Sequence, residues 1–299
     1  MAHAMHLEHP VTKAMNYMAE RLEEISDGRM RIEMYPNQQL GSERELLELV
    51  QIGSVAMTKV SGANLENIVP EIKVFSLPYL FRNEEHMDAV HKGPIGEQLL
   101  EEGAAYGLKG LAYYDAGFRS FYTVDTPVRE PADLEGLKIR VQESQMAIQT
   151  VAAVGASPTP LSYGELYTAL QGGVVDGAEN NPPSFHTARH YEVCNYYSLN
   201  EHSAVPDFLL ISTNVWLDLT EQQKQWLSQA VDESVQRQEV LWDQAVEEAM
   251  NIVKEAGVEI IRPDKKPFRE AVQPIYNRFR EENPDVYKWV ERIQQVEIQ

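Results

Sequence analysis

The chain has one cysteine, Cys194, so it can form no internal disulfide and its stability must come from packing and polar contacts. It lacks basic excess: 26 Lys and Arg stand against 46 Asp and Glu, a formal charge of -20. Nucleic-acid binders need a basic footprint, so that class of partner is excluded, and an anionic membrane surface is disfavoured on the same ground. No apolar run approaches the ~20 residues needed to cross a bilayer, so no direct membrane insertion is expected. No Gly-x-Ser-x-Gly elbow occurs. His186 and His190 are four apart, but no Glu follows in the order of a zinc helix, and His186 reads as a helix-surface residue. Cys194 sits among Val193, Tyr196 and Tyr197 and reads as a half-buried structural residue, not a nucleophile. Low-complexity linkers and internal repeats are also missing.

What is present is a soluble-protein composition over 299 residues, enough for two domains or one large one. Val11, Ala14, Met15, Met18, Leu22 and Ile25 recur at helical spacing, and Ser26-Asp27-Gly28 ends that helix. Arg31 to Tyr35 alternates like a strand. A helix over 43–51, a strand over 55–60, helices near 84–90 and 94–102, and strands near 110–114, 117–124 and 138–142 follow. Helices over 145–154 and 164–171 and a strand opening at Val174 continue the alternation. This is the pattern of an α/β fold. Residues 221–256 contain no Gly or Pro, and Thr220 with Gln223 forms a capping box at their start. One helix of that length would reach ~54 Å and span two lobes; the alternative is two helices with a kink at Gln236–Glu239.

Two short stretches point to chemistry. Lys138-Ile139-Arg140-Val141 places a guanidinium in an apolar strand, and Val175-Asp176-Gly177-Ala178-Glu179-Asn180-Asn181-Pro182 ends another apolar run in amides. A guanidinium holds a carboxylate through two parallel hydrogen bonds, and an Asn adds a donor and an acceptor. Capture of a small organic acid without chemistry on it is the reading, and no cofactor is called for. Arg140 could instead pair with Glu143 or Asp176, and Arg119 with Asp115.

Five blocks carry a family resemblance: Tyr35-Pro36-Asn37-Gln38-Gln39-Leu40-Gly41, Leu77-Pro78-Tyr79-Leu80-Phe81, Gly136 to Val141, Gly155-Ala156-Ser157-Pro158-Thr159-Pro160, and Glu165 to Gln171 running into Val175 to Asn180. With them, from Thr12 to Tyr287, the chain resembles the solute-binding proteins of tripartite ATP-independent periplasmic (TRAP) transporters. The resemblance implies a two-lobed, periplasmic-binding-protein type fold that closes on one organic acid and passes it to a membrane permease. It implies a monomer in the periplasm. It places the family's clamp arginine on Arg140, a second arginine on Arg119 and the pocket asparagine on Asn180. The family's Glu-Asn-Pro is here Glu-Asn-Asn-Pro, which leaves Asn180, Asn181 or both as ligand contacts. Ser61, Lys59, Asn64 and Gln142 are expected at the cleft wall. Glu43 is either a hydroxyl-binding acid or a first-turn residue facing the helix dipole. His9 either covers the pocket or frays. The lobes are expected at 1–116 with 206–245 and at 117–205 with 246–299.

A wall rich in hydroxyl partners suits a polyhydroxylated monoacid, and the wording of 57–61 and 179–185 resembles members that bind hexuronates. D-glucuronate or D-galacturonate is therefore expected, with sialic acid, a 2-oxo acid or a C4-dicarboxylate as alternatives, and a sugar-acid lyase or isomerase as the rival class. Met1-Ala2-His3-Ala4-Met5-His6 reads as an appended tail that replaces a removed leader.

Overall fold

Strand 207–212 explains the architecture of the first half. Its residues alternate between two cores: Phe208 and Leu210 pack with Leu46, Val60 and Phe75, whereas Leu209 and Ile211 pack with Met15, Met18 and Leu227. A strand apolar on both faces belongs in the middle of a covered sheet. The computed structural model describes residues 1–298 and shows two such sheets; Gln299, the last residue of the expected second lobe, lies outside them.

The strands are β1 (Ala2–His3), β2 (Met57–Ser61), β3 (Leu108–Tyr114), β4 (Arg119–Thr123), β5 (Lys138–Val141), β6 (Ser157–Pro160), β7 (Gly177–Asn180), β8 (Tyr196–Ser203), β9 (Asp207–Ser212) and β10 (Glu259–Ile261). The first sheet has the order β1-β2-β9-β3, with β1 parallel to β2 and the other pairs antiparallel. The second has the order β10-β8-β4-β7-β5-β6 and mixes parallel and antiparallel pairs. The backbone crosses between the sheets at 115–118 and 204–206.

A single helix, Glu221–Glu255, joins the two halves. Its start is the predicted box: Thr220 Oγ1 accepts from the Gln223 amide at 3.3 Å, and Gln223 Oε1 accepts from the Thr220 amide at 2.9 Å. It packs along helix Pro10–Ile25 and on β3 of the first half, and on helix Pro182–Thr187 of the second. The helix is unbroken at 236–239. Gln238 there is fully buried; its amide donates to Asp115 O at 2.9 Å and accepts from Asp115 N at 3.1 Å. The polar residue is a clamp on the interlobe crossing, which is why it does not weaken the helix. Beside it Gly117 has φ +56°, and a Cβ there would sit 3.1 Å from the Trp242 ring. Only glycine fits both the left-handed backbone and the space.

The C-terminal helices bridge the halves. Lys265–Glu282 packs on helix Gln145–Ala153 and β8, and Pro284–Gln294 packs on the 3₁₀ turn Pro70–Ser76 and helix Pro94–Glu101.

Three local expectations are corrected. Residues 1–6 are not an appended tail: Ala2 and His3 pair with Thr58 and Lys59, and Met1 to Met5 are all buried. Small and apolar residues at an open sheet edge supply a strand that composition alone does not reveal. Arg31 to Tyr35 forms no strand: its backbone meets β1 at the isolated Ala2–Tyr35 bridge, and Ile32 and Met34 pack on the core beneath the sheet. His186 and His190 do not share a helical face, because the helix ends at Thr187 and Arg189 turns left-handed at φ +58°.

Candidate functional site

A narrow cleft lies between the two sheets and is lined by residues from both. The second sheet supplies three neighbouring strands. Arg119 begins β4, Asn180 ends β7 opposite Ser120, and Arg140 sits on β5 beside Ala178. All three side chains line the cleft and are buried.

The two arginines are in opposite electrostatic states. Arg119 is neutralised. Its Nε donates to Glu179 Oε2 at 2.5 Å, and its terminal nitrogens donate to Glu179 Oε1 at 2.8 Å and Asn180 Oδ1 at 2.9 Å. Burial alone would raise the Glu179 carboxyl, but Arg119 and His202 hold it down at about 2. Its partner is therefore Glu179 and not Asp115, whose carboxylate instead accepts from Gly117 N at 2.7 Å. Arg140 makes one hydrogen bond, Nε to Leu161 O at 2.9 Å. Among the described residues no carboxylate lies within ion-pair distance of it, so neither Glu143 nor Asp176 is its partner. Burial and the nearby Arg119 cation lower its pKa. A buried, charged guanidinium without a carboxylate is costly, and an anion in the cleft would relieve that cost.

Asn180 and Asn181 also divide. Asn180 Oδ1 accepts from Arg119 and from the Asn181 amide at 2.9 Å, which leaves Nδ2 without a protein partner among the described residues. Asn181 caps helix Pro182–Thr187 through Oδ1 to Ser184 N at 2.8 Å and ties Nδ2 to Ala116 O at 2.9 Å. Both line the cleft, but the amide of Asn181 is already engaged at both ends.

The first sheet supplies an acidic wall. Glu43 follows the helix cap Ser42 and lies in the first turn, and it is buried at the cleft. Glu43 Oε2 accepts from Asn64 Nδ2 at 2.6 Å and from Ser61 N at 3.1 Å. Ser61 and Asn64 both line the cleft, as does Gln142 from the far side. Lys59 is the exception among the expected contacts. It lies one strand repeat deeper than Ser61, fully buried, with Nζ 2.9 Å from Asp207 Oδ2 and 3.3 Å from Glu43 Oε1. Burial would lower its pKa, but the two carboxylates more than reverse that. It is a countercharge behind the wall and does not line it. His9 does not fray. It is 1% exposed, caps the first helix, and places Nε2 3.2 Å from Ser184 Oγ across the cleft.

Sequence reasoning missed Asp207 and Tyr163. Asp207 heads β9, pairs with Ser61 in register and lines the cleft. Its signal was an acid after Pro206 at the mouth of a wholly apolar strand. Tyr163 lies over the cleft with its hydroxyl donating to Ser184 O at 3.3 Å, and burial pushes that phenol up to about 12. An aromatic between Ser162 and Gly164 in a loop was the only hint. Cys194 is fully buried, and burial pushes its thiol pKa up, so it is inert packing.

The profile of bacterial extracellular solute-binding proteins, family 7 (DctP), matches residues 1–283. The chain belongs to the DctP family. It is a TRAP-transporter solute-binding protein, periplasmic, and acts with the membrane permease components of such a transporter. It is a binding protein and not an enzyme. It is 42% identical to the YiiZ protein of Salmonella typhimurium over 95% of this chain and 88% of that protein. A TRAP solute-binding protein of Xanthobacter autotrophicus, solved with β-D-galacturonate, superposes with a TM-score of 0.95 at 40% identity, covering 99% of both chains. One from Chromohalobacter salexigens, solved with D-glucuronate, superposes at 0.96 with 35% identity, covering 98% of both.

Proposed function

We propose that this DctP-family protein captures a hexuronate, D-glucuronate or D-galacturonate, for delivery to its permease. The observation that carries the reading is the opposition of charges across the cleft. Arg140, without a protein carboxylate, faces a wall that holds Glu43 and Asp207. The ligand carboxylate pairs with Arg140 in a forked, charge-assisted geometry, and Asn180 Nδ2 donates to the same end. Arg119, neutralised by Glu179, holds Asn180 in place. At the other end, Glu43 and Asp207 accept hydrogen bonds from sugar hydroxyls, with Ser61, Asn64, Gln142 and His9 as further partners.

This layout opposes a C4-dicarboxylate. A second carboxylate would meet Glu43 and Asp207, two acidic side chains that share the single countercharge of Lys59, so the wall keeps a net negative charge and repels it. The uronates bound by the Xanthobacter and Chromohalobacter proteins support the choice. Calorimetric titration tests it. D-glucuronate or D-galacturonate should bind with micromolar or tighter affinity and come back chemically unchanged by NMR, and succinate should not bind. Tight succinate binding, or no uronate binding, would overturn the reading.

A further inference from the structure

Away from the arginines, a second polar contact joins the two halves. Glu66, 1% exposed, follows the short turn Gly62–Leu65 of the first half. Its Oε1 accepts from Ser144 Oγ at 2.7 Å and from Met146 N at 3.2 Å, both in the second half. Ser144 is the N-cap of helix Gln145–Ala153, and its Oγ also accepts from Ala147 N at 3.0 Å. Beside it Asn67 Nδ2 donates to Glu143 O at 2.6 Å. Glu66 thus meets the N-terminus of a nine-residue helix, where free amides and the helix dipole both favour a carboxylate. The carboxylate belongs to the other lobe.

The two segments that meet here are the same two that face the cleft. Residues 61–64 line it at one end and reach Glu66 and Asn67 at the other; residues 140–143 line it and reach Ser144 and Met146. Movement of Arg140 and Gln142 toward Ser61 and Asn64 brings the helix end onto Glu66.

We propose that Glu66 is an interlobe latch: a positioning residue that touches no ligand and holds the closed form by capping the helix of the opposite lobe. The proposal rests on closure around a ligand, here taken as a hexuronate. Its energetic effect falls on the closed state, so it acts on ligand release. Two hydrogen bonds at the low end of the usual net strength correspond to roughly a tenfold change in release rate.

The test uses spin labels at Glu48→Cys and Gln171→Cys, exposed positions on the two lobes, with Cys194 buried and unreactive. Lobe-to-lobe distances and stopped-flow release of D-glucuronate and D-galacturonate are compared for Glu66, Glu66→Gln and Glu66→Ala. Glu66→Ala should release ligand roughly tenfold faster, with an on-rate within about twofold and a longer or broader distance distribution. Glu66→Gln, which keeps an acceptor without the charge, should fall between. Unchanged release and distances in a folded Glu66→Ala protein would overturn the latch. So would a lower melting temperature of the ligand-free variant with unchanged release, since that marks a contact present in the open form as well. If the parent protein binds neither uronate, the hexuronate reading fails by itself. The latch is then judged with sialic acid or succinate, whichever shortens the parent's distances, where Glu66→Ala must show the wider separation.

Discussion

Arg119 and Arg140 have the same chemistry, similar burial and places on the two strands that flank β7, yet they are expected to respond oppositely to mutation. Arg140→Lys keeps the charge and loses the fork, and should weaken uronate binding by roughly 30–100-fold, as expected for two charge-assisted hydrogen bonds. Arg140→Met should abolish the ligand-induced rise in melting temperature while leaving the ligand-free melting temperature equal or higher, because it removes a buried charge that no protein carboxylate offsets. A lower ligand-free melting temperature would show that Arg140 is structural. Glu179→Gln strands the buried Arg119 cation and should destabilise the ligand-free protein by about 3 kcal/mol in urea titration. The pH dependence follows. Glu179 has its folded pKa depressed to about 2 from an ordinary 4.5, so its stabilisation is complete above about pH 4.5 and is lost as pH falls through about 2. Asp115 is the reverse case. Burial, opposed by the Gly117 amide and reinforced by Asp88, Glu84 and Asp243, raises its carboxyl to about 6. Its folded form holds a proton that the unfolded chain has lost, so it favours folding less as pH rises from about 4 through 6. The melting temperature should therefore gain more between pH 7 and pH 5 in the parent than in Asp115→Asn; equal gains would contradict the assignment.

At the scale of elements, the long helix was legible because 221–255 contains no breaker and begins in a capping box. The role of Gln238 was not legible. A polar residue between Arg237 and Glu239 looks like solvent-facing surface, and only the crossing at 115 turns it into a buried amide with two backbone partners. Gln238→Ala should cost about 2–3 kcal/mol in chemical denaturation, since it strands a buried N–H and C=O, whereas Gln236→Ala should cost within ~0.5 kcal/mol. Equal effects would remove the clamp. The first helix, strands β2 to β5 and the helices Glu84–His91 and Pro94–Glu101 were also readable from the sequence. Strand β6 was not, because Ser157-Pro158-Thr159-Pro160 alternates no apolar face and is held at the edge of the sheet by β5 alone. β1 escaped notice for a similar reason: two residues carry no period, and their partner strand lies more than 50 residues away.

At the scale of the whole molecule, the two halves are joined by the crossings at 115–118 and 204–206 and by the long helix, the places where a closing motion would turn. Small-angle scattering should give a radius of gyration near ~19 Å with uronate bound, the value for a compact chain of this length, and a larger one without it; identical profiles would count against closure. The sequence by itself determined the local items: helix periods, caps, the α/β alternation, the family blocks, and which residues could meet an organic acid. It could place Arg140, Asn180, Glu43 and Ser61 in a list, because the family resemblance marks those positions. Tertiary structure decided their electrostatic roles. Glu179 is sixty residues from Arg119, Asp207 is well over a hundred from Lys59, and Glu66 meets a helix that begins 79 residues later. Pairing of buried charges depends on which strands become neighbours, and no local pattern records that. The same long-range pairing left Arg140 as the cleft arginine with no carboxylate partner among the described residues, the property that fits it to a ligand.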